Sequence, residues 1–145
     1  MFFKNIFVPF DGSTHSIRAL KAALHIAEKY DSKITVAYCI QRPLLAKDLP
    51  KGGKFVISIN KVMKKQAMII LSQAQQIAIQ NNFKINNCIL ESDSVVKKLV
   101  SFTKGAKMDS VIMGTRGTTR AKGSFLGSVA NGLSHRVHCP VLLVR

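Results

Sequence analysis

Short apolar runs alternate with segments of helical periodicity along this chain. The runs are bounded by turn residues, as where residues 5–10 end at Asp11-Gly12, and such runs predict strands. Ser13 or Thr14 then offers an N-cap hydroxyl for the first helix. The pattern predicts strands at 5–10, 34–40, 85–90, 109–113 and 140–144. It predicts a first helix that begins after this cap and is ended by Asp31-Ser32, and further helices at about 57–81, at 93–104 with Gly105 as a C-terminal stop, and at 128–138.

The regular alternation of strands and helices determines the expected fold class. It indicates βαβ units with right-handed crossovers, and therefore a five-stranded, mostly parallel α/β sheet with helices on both faces. No internal repeat or change of composition divides the chain, so residues 1–145 are expected to form one domain. Ligands of such Rossmann-like sheets bind beyond the carboxyl ends of the strands, where the strand order reverses. That rule points to Asp11-Gly12, to Ile40-Gln41 and to the segment that begins at Gly114.

The loop from Gly114 to Ser128 carries the most informative chemistry. Gly114 and Gly117 follow a strand and are expected to allow positive φ and a close approach of the backbone to a ligand. Gly127 and Ser128 open a helix, whose free N–H groups and positive dipole end attract phosphate. The loop also contains Arg116, Arg120 and Lys122. The sequence therefore predicts an anion site, although glycines that serve only turns are the alternative.

The roles of Asp11 and Arg116 each have two interpretations. Asp11 either contacts a ligand or is only a helix-capping or turn residue whose carboxylate bonds backbone amides. Arg116 either pairs with phosphate through its guanidinium or is merely solvated.

Charge and composition narrow the class of protein. Lys and Arg number 22 against 7 Asp and Glu, a formal charge of +15. This charge favours an anionic partner (nucleic acid, nucleotide phosphates, an anionic membrane surface or an acidic protein), or else it serves solubility. A module that binds nucleic acid or another polyanion through its basic surface is therefore the alternative function. No apolar run reaches the roughly 18 residues of a membrane span, and the first residues lack a secretory pattern. The three widely spaced cysteines suit a reducing compartment, so a cytoplasmic protein is expected.

The sequence offers no catalytic or metal-binding set. The acidic residues are dispersed, no G-x-S-x-G segment occurs, and His135, His138 and Cys139 have no further ligand beside them in the sequence. A dedicated enzyme is therefore not expected, and slow hydrolysis of a bound nucleotide is the most that the residues favour.

Three motifs together resemble a known family. Gly114-x2-Gly117-x9-Gly127-Ser128 resembles the nucleotide-binding signature of the ATP-binding branch of the universal stress protein family. Residues 5–13 (NIFVPFDGS) resemble the opening strand of that family and its Asp-Gly-Ser turn, and residues 139–145 (CPVLLVR) resemble its closing strand. The resemblance spans nearly the whole chain.

The resemblance implies a ligand, a partner and a set of site residues. It implies a stress-response regulator that binds ATP, or ADP or AMP, with or without Mg²⁺, and a homodimer formed through the last strand, Val141–Val144. Asp11, with Pro9 and Phe10 beside it, would contact the ribose or adenine side of the nucleotide, and Cys39 would lie where the backbone meets adenine. Met113 and Gly114 would flank the ribose. The phosphates would be held by Gly117, Gly127, Ser128, Val129 and Ala130.

Overall fold

The computed structural model describes residues 1–42, 49–117 and 126–145. Strands and helices alternate along it as the hydrophobic pattern predicts. In chain order the elements are β1 (Asn5–Pro9), α1 (Thr14–Tyr30), β2 (Lys33–Gln41), α2 (Lys54–Gln80), β3 (Asn86–Ser92), α3 (Val95–Gly105), β4 (Ser110–Gly114), α4 (Ser128–Arg136) and β5 (Val141–Val144).

The five strands form one sheet in the order β3-β2-β1-β4-β5, and all four pairings are parallel. β1 lies in the middle, with Phe7 opposite Thr35 of β2 and Val111 of β4. The chain builds outward from β1 through β2 to β3 and then crosses to β4 on the other side. The strand order therefore reverses between β1 and β4, the place where parallel sheets of this class form a crevice.

Both faces of the sheet are covered by helices. On one face, Ile6 and Val8 of β1 pack in a buried cluster with residues of α1 and α2, such as Leu20 and Ala74. On the other face, Phe7 packs in a cluster with residues of α3 and α4. Three consecutive β1 residues, Ile6 to Val8, are 0% exposed, as expected of a strand buried on both faces.

Local caps fix the beginning and end of α1. The Ser13 hydroxyl accepts a hydrogen bond from the Ser16 N–H, which satisfies one of the amides that a helix leaves free at its first turn. Asp31 ends the helix in the left-handed conformation, with φ at 52°. The predicted choice between Ser13 and Thr14 is thus resolved in favour of Ser13.

The predicted element boundaries are wrong by a few residues at four elements. α2 begins at Lys54 rather than near residue 57, and β3 ends at Ser92 rather than Leu90. α3 begins at Val95, because Ser94 accepts a hydrogen bond from the Lys97 N–H and is its N-cap. α4 ends at Arg136 instead of residue 138.

Gly105 does not stop α3 in the way predicted. It is the last helical residue, and Ala106 is the C-cap. The left-handed conformation that would favour glycine occurs instead at Lys107, with φ at 53°. Within the described ranges, no helix is long and apolar enough to cross a membrane.

Candidate functional site

A cleft of about 510 Å³ opens at the carboxyl ends of β1, β2 and β4. Its volume is in the range of pockets that bind small organic molecules. The structure brings all of the predicted site residues to the walls of this cleft: Pro9, Phe10, Asp11, Cys39, Met113, Gly114, Arg116, Gly117, Gly127, Ser128, Val129 and Ala130. Residues from opposite ends of the chain thus meet at the place where the strand order reverses.

The two glycine segments of the loop lie against each other. The Gly127 N–H donates to the Thr115 carbonyl oxygen over 2.7 Å. A Cβ on Gly127 would come within 3.5 Å of the Arg116 Cα and 3.6 Å of the Gly117 nitrogen. The backbone at the end of β4 and the backbone at the start of α4 therefore lie side by side in the wall of the cleft. Arg120 and Lys122, which were predicted to contribute charge there, lie outside the described residues.

The amino terminus of α4 lacks a side-chain cap. Its N-cap is Gly127, which has no side chain to accept from the amides of the first turn, whereas serine hydroxyls cap α1 and α3. The N–H groups of Ser128, Val129 and Ala130 have no acceptor inside their own helix. Because these residues line the cleft, their amides and the positive end of the helix dipole favour an anion at this wall.

Asp11 serves the local turn and also lines the cleft. Its Oδ1 accepts a hydrogen bond from the Ser13 N–H over 2.9 Å, as in an Asx turn. Its Oδ2 lies 2.6 Å from the position that a Cβ would take on Gly117. The hydrogen bond supports a role of Asp11 in the turn, whereas the N-cap of α1 is Ser13. The carboxylate also lies at the cleft, against the Gly117 backbone, so its contact with a ligand stays a prediction.

Gly114 is required for a reason other than the predicted positive φ. Among the glycines of the described chain, only Gly12 has a positive φ, at 82°. A Cβ on Gly114 would lie 2.7 Å from the Cβ of His15 and 2.8 Å from its carbonyl carbon. The absent side chain therefore lets β4 approach the first turn of α1, which is a packing role.

The end of β2 forms the less polar wall. Burial raises the pKa of the Cys39 thiol to about 11, with a smaller raising effect from Glu91 that the nearby Lys98 opposes. Burial likewise raises the pKa of Tyr38, and the negative charge of Asp11 adds to that effect. Both groups are thus neutral near pH 7, which suits an uncharged part of a ligand.

Helix side chains complete the cleft in a way that sequence reasoning missed. Met63, Gln66 and Ile70 of α2 line it, as do Val95 and Leu99 of α3. The helical periodicity of the sequence does not distinguish such residues from ordinary packing residues. Which of them border a cavity depends on how the helices lie across the sheet, and no local pattern reports that.

The site offers little to a bare metal ion. Within the described ranges no group of three or more His, Cys, Asp or Glu residues lies close enough to hold one. Among the described residues that line the cleft, Asp11 is the one carboxylate. A Mg²⁺ ion here would therefore depend on oxygens of a bound phosphate and on water, an arrangement that Mg²⁺ favours.

The sequence model of the universal stress protein family matches residues 2–145. The chain belongs to this family. Universal stress protein MJ0531 of Methanocaldococcus jannaschii is 32% identical over 144 residues, which cover 99% of this chain and 82% of that protein.

Solved structures of universal stress proteins share the fold. The structure of UspA from Lactobacillus plantarum superimposes with a TM-score of 0.82 at 17% identity, covering 100% of this chain and 99% of that one. The universal stress protein from Archaeoglobus fulgidus, solved in complex with dAMP, has a TM-score of 0.71 at 18% identity and covers 100% of both chains. The five-stranded parallel α/β architecture predicted from the sequence is thereby confirmed.

Proposed function

We propose that this protein is a stress-response regulator that binds an adenine nucleotide, ATP or else ADP or AMP, in the cleft described above. One observation carries the proposal. The N-terminus of α4, which has no side-chain cap, lies in the cleft wall beside the end of β4 and its glycines. The dAMP complex of the Archaeoglobus fulgidus relative supports an adenine nucleotide as the ligand class. The proposal extends to the ATP-binding branch because the Gly114 to Ser128 spacing matches that signature.

The phosphates belong at the α4 end of the cleft. Ser128, Val129 and Ala130 of the first turn of α4 line the cleft there, and the amides of a first turn are donors that a helix leaves without an internal partner. Gly117 and Gly127 have no side chains to cover the neighbouring backbone. Arg116 is an exposed residue on the same wall and adds a positive charge. A nucleotide that chelates Mg²⁺ would keep the ion on its own phosphate oxygens.

The nucleoside end belongs between β1 and β2. The buried ring of Phe10 and the neutral thiol of Cys39 provide a wall of low polarity for the base, beside Pro9. The Asp11 carboxylate lies between that wall and the Gly117 backbone, at a place suited to a ribose hydroxyl. Met113 and Gly114 form the floor under the ribose.

Titration calorimetry with ATP, ADP and AMP, with and without Mg²⁺, tests the ligand. Gly127→Val is expected to weaken binding by about tenfold or more, because the branched side chain covers backbone amides that the phosphate must approach and a charge-assisted hydrogen bond contributes about 1.5–3 kcal/mol. The fold should survive, since the added Cβ meets its neighbours at ordinary contact distances of 3.5–3.6 Å.

Gly52→Val is the matched control. Gly52 does not line the cleft, and an added Cβ there meets nothing within 4 Å. Equal affinities of the two valine variants would overturn the assignment of the loop, and no binding of any of the three nucleotides at millimolar concentration would overturn the function. Release of phosphate over many cycles distinguishes slow hydrolysis from simple binding.

A homodimer through β5 is the second part of the proposal. β5 is an edge strand, and Leu142 is 40% exposed although it is a large apolar residue. An edge strand with an apolar side chain toward solvent favours pairing with another chain. Leu142→Lys is expected to shift the protein to monomer in analytical ultracentrifugation, and an unchanged sedimentation coefficient would contradict the interface.

A further inference from the structure

The outward surface of α2 has a composition that neither the fold nor the cleft explains. Half of the large apolar residues that the described chain exposes lie on this one helix. They are Phe55, Ile57, Val62, Met68, Ile69 and Ile79. The helix also carries four exposed lysines and no acidic residue in its 27 residues. We refer to the six apolar residues and to Lys54, Lys61, Lys64 and Lys65 as the α2 surface.

The apolar residues of the α2 surface are ordered in rows. Phe55, Val62 and Ile69 follow one another at seven-residue spacing and are 65%, 67% and 55% exposed. On an α-helix a seven-residue step drifts by only about 20°, so the three side chains form one row along the helix. Ile57, Met68 and Ile79 form a second row at eleven-residue spacing, on the flank of the same outward face.

Lysines lie between the two rows. At 3.6 residues per turn, Lys54, Lys61 and Lys65 project between the row that begins at Phe55 and the row that begins at Ile57. The buried residues of α2, such as Ala67 and Ala74, are on the opposite side and pack on the sheet. The helix thus has two apolar faces, one that packs in the core and one that is interleaved with positive charge.

We propose that the α2 surface docks the protein peripherally on an anionic lipid bilayer, with the helix axis parallel to the membrane plane. Helices of this kind place apolar side chains at the headgroup boundary while lysines pair with anionic headgroups. The proposal does not depend on nucleotide binding, because the ten residues of the α2 surface do not line the cleft.

Charge complementarity selects the bilayer over two other occupants. A second copy of this chain that packed its own α2 against this surface would set four lysines against four lysines, with no carboxylate on either helix. A partner helix would pack on one row and would leave the lysines between the rows unpaired unless it carried carboxylates. A negatively charged lipid surface satisfies both the lysines and the apolar side chains over the whole length of about 40 Å that 27 residues span.

Flotation with lipid vesicles tests the proposal on the full chain. We expect the protein to float with vesicles that contain one third phosphatidylglycerol and not with pure phosphatidylcholine vesicles at physiological ionic strength. The double substitution Lys61→Gln and Lys65→Gln is expected to lower the partition coefficient about 25-fold, since each lysine near an anionic surface contributes roughly fivefold.

The matched control removes the same charge elsewhere. Lys97 and Lys104 are exposed lysines of α3, on the opposite face of the sheet, and Lys97→Gln with Lys104→Gln should change partitioning by less than about threefold because they lie away from the bilayer. Equal losses in the two double variants would overturn the α2 surface as the contact. Absence of flotation with anionic vesicles, or retention by duplex DNA or an acidic protein in its place, would overturn the bilayer as the partner.

A tryptophan reporter tests insertion separately from attraction. The chain has no Trp, so Phe55→Trp places a single indole in the first apolar row. We expect its emission to shift to the blue on anionic vesicles and to be quenched by brominated lipid, whereas Tyr30→Trp at the end of α1 should show neither change. An indole at position 55 that stays in water while the protein floats would overturn the proposed orientation.

Discussion

The contact between Gly114 and α1 makes a sharp prediction about the fold. Replacement of Gly114 by Ala adds one carbon where the His15 Cβ is 2.7 Å away, the His15 carbonyl carbon 2.8 Å and the Ser16 nitrogen 3.0 Å. Carbon atoms pack at roughly 3.5–4.0 Å, so the added methyl is about 1 Å too close. Two of these three neighbours are backbone atoms, and they can yield only if β4 and the start of α1 move apart.

The magnitude follows from that geometry. Overpacking of a core costs about 1–3 kcal/mol, and the backbone contacts place Gly114→Ala near the upper end, at about 3 kcal/mol of unfolding free energy. For a chain of this size such a loss lowers the melting temperature by about 10 °C. The variant should still fold, because domains are usually stable by about 5–15 kcal/mol.

Urea unfolding of nucleotide-free protein, followed by far-ultraviolet circular dichroism, measures this loss. Gly105→Ala is the matched control, because its Cβ would meet nothing within 4 Å and the residue lies in the last turn of α3. Alanine is favoured over glycine in helices, so this variant should be more stable by up to about 0.5 kcal/mol. If Gly114→Ala proved as stable as the wild type, or if both variants lost the same amount, the packing argument would be refuted.

Three further predictions concern the residues around the cleft. Ser13→Ala removes the N-cap of α1 and should lower the unfolding free energy by about 1 kcal/mol in the same urea assay, and no change would contradict the capping role. Asp11→Asn removes a negative charge that raises the pKa of Tyr38, so that pKa should fall while burial keeps it above 10.0, as ultraviolet titration of the phenols would show; a rise would contradict the assigned cause. The Cys39 thiol, with its pKa raised from 9.0 to about 11, should react with iodoacetamide at pH 8 about a hundredfold more slowly than an unperturbed thiol, because the thiolate is the reactive form. Folding favours the neutral form of the Cys39 thiol. The contribution of this thiol to the free energy of unfolding is therefore fully present below pH 9 and is lost as the pH rises through 11. Mass spectrometry of the alkylated peptide measures the rate, and fast modification of the folded protein at pH 8 would contradict the shift.

The sequence predicts the architecture well because each element carries its own signal. The run around Phe7 is apolar on both faces and ends at Asp11-Gly12, so the buried strand and its turn are visible locally. The end of α3 is less visible, because Gly105 is a usual stop residue and yet the chain takes the left-handed conformation at Lys107. The turn at Lys107 is closed by a local hydrogen bond from the Met108 N–H to the Thr103 carbonyl oxygen. The sequence does not reveal this turn, because lysine rarely adopts the left-handed conformation.

The sequence predicts only part of the candidate site, because only some of the site residues carry a local signal. The residues that follow β1, β2 and β4 could be named because the carboxyl ends of parallel strands share one edge. The contribution of Met63 and Gln66 could not, because it depends on where the middle of a 27-residue helix crosses that edge. A helix that packs on a sheet shows its buried face in the sequence, but not which of its flanking residues border a cavity.

Three glycines of one loop show how far a sequence motif can be interpreted without a structure. Gly114 lets a strand approach a helix, Gly117 leaves room for the Asp11 carboxylate, and Gly127 begins a helix without a side-chain cap. None of the three has a positive φ, the usual reason offered for glycine. Alanine is therefore expected to act differently at each: at position 114 it should lower stability, at 117 it should displace the carboxylate, and at 127 it should be tolerated by the fold. The motif indicates which positions must lack a side chain. The atoms around each position determine whether the fold or the ligand site requires a glycine there.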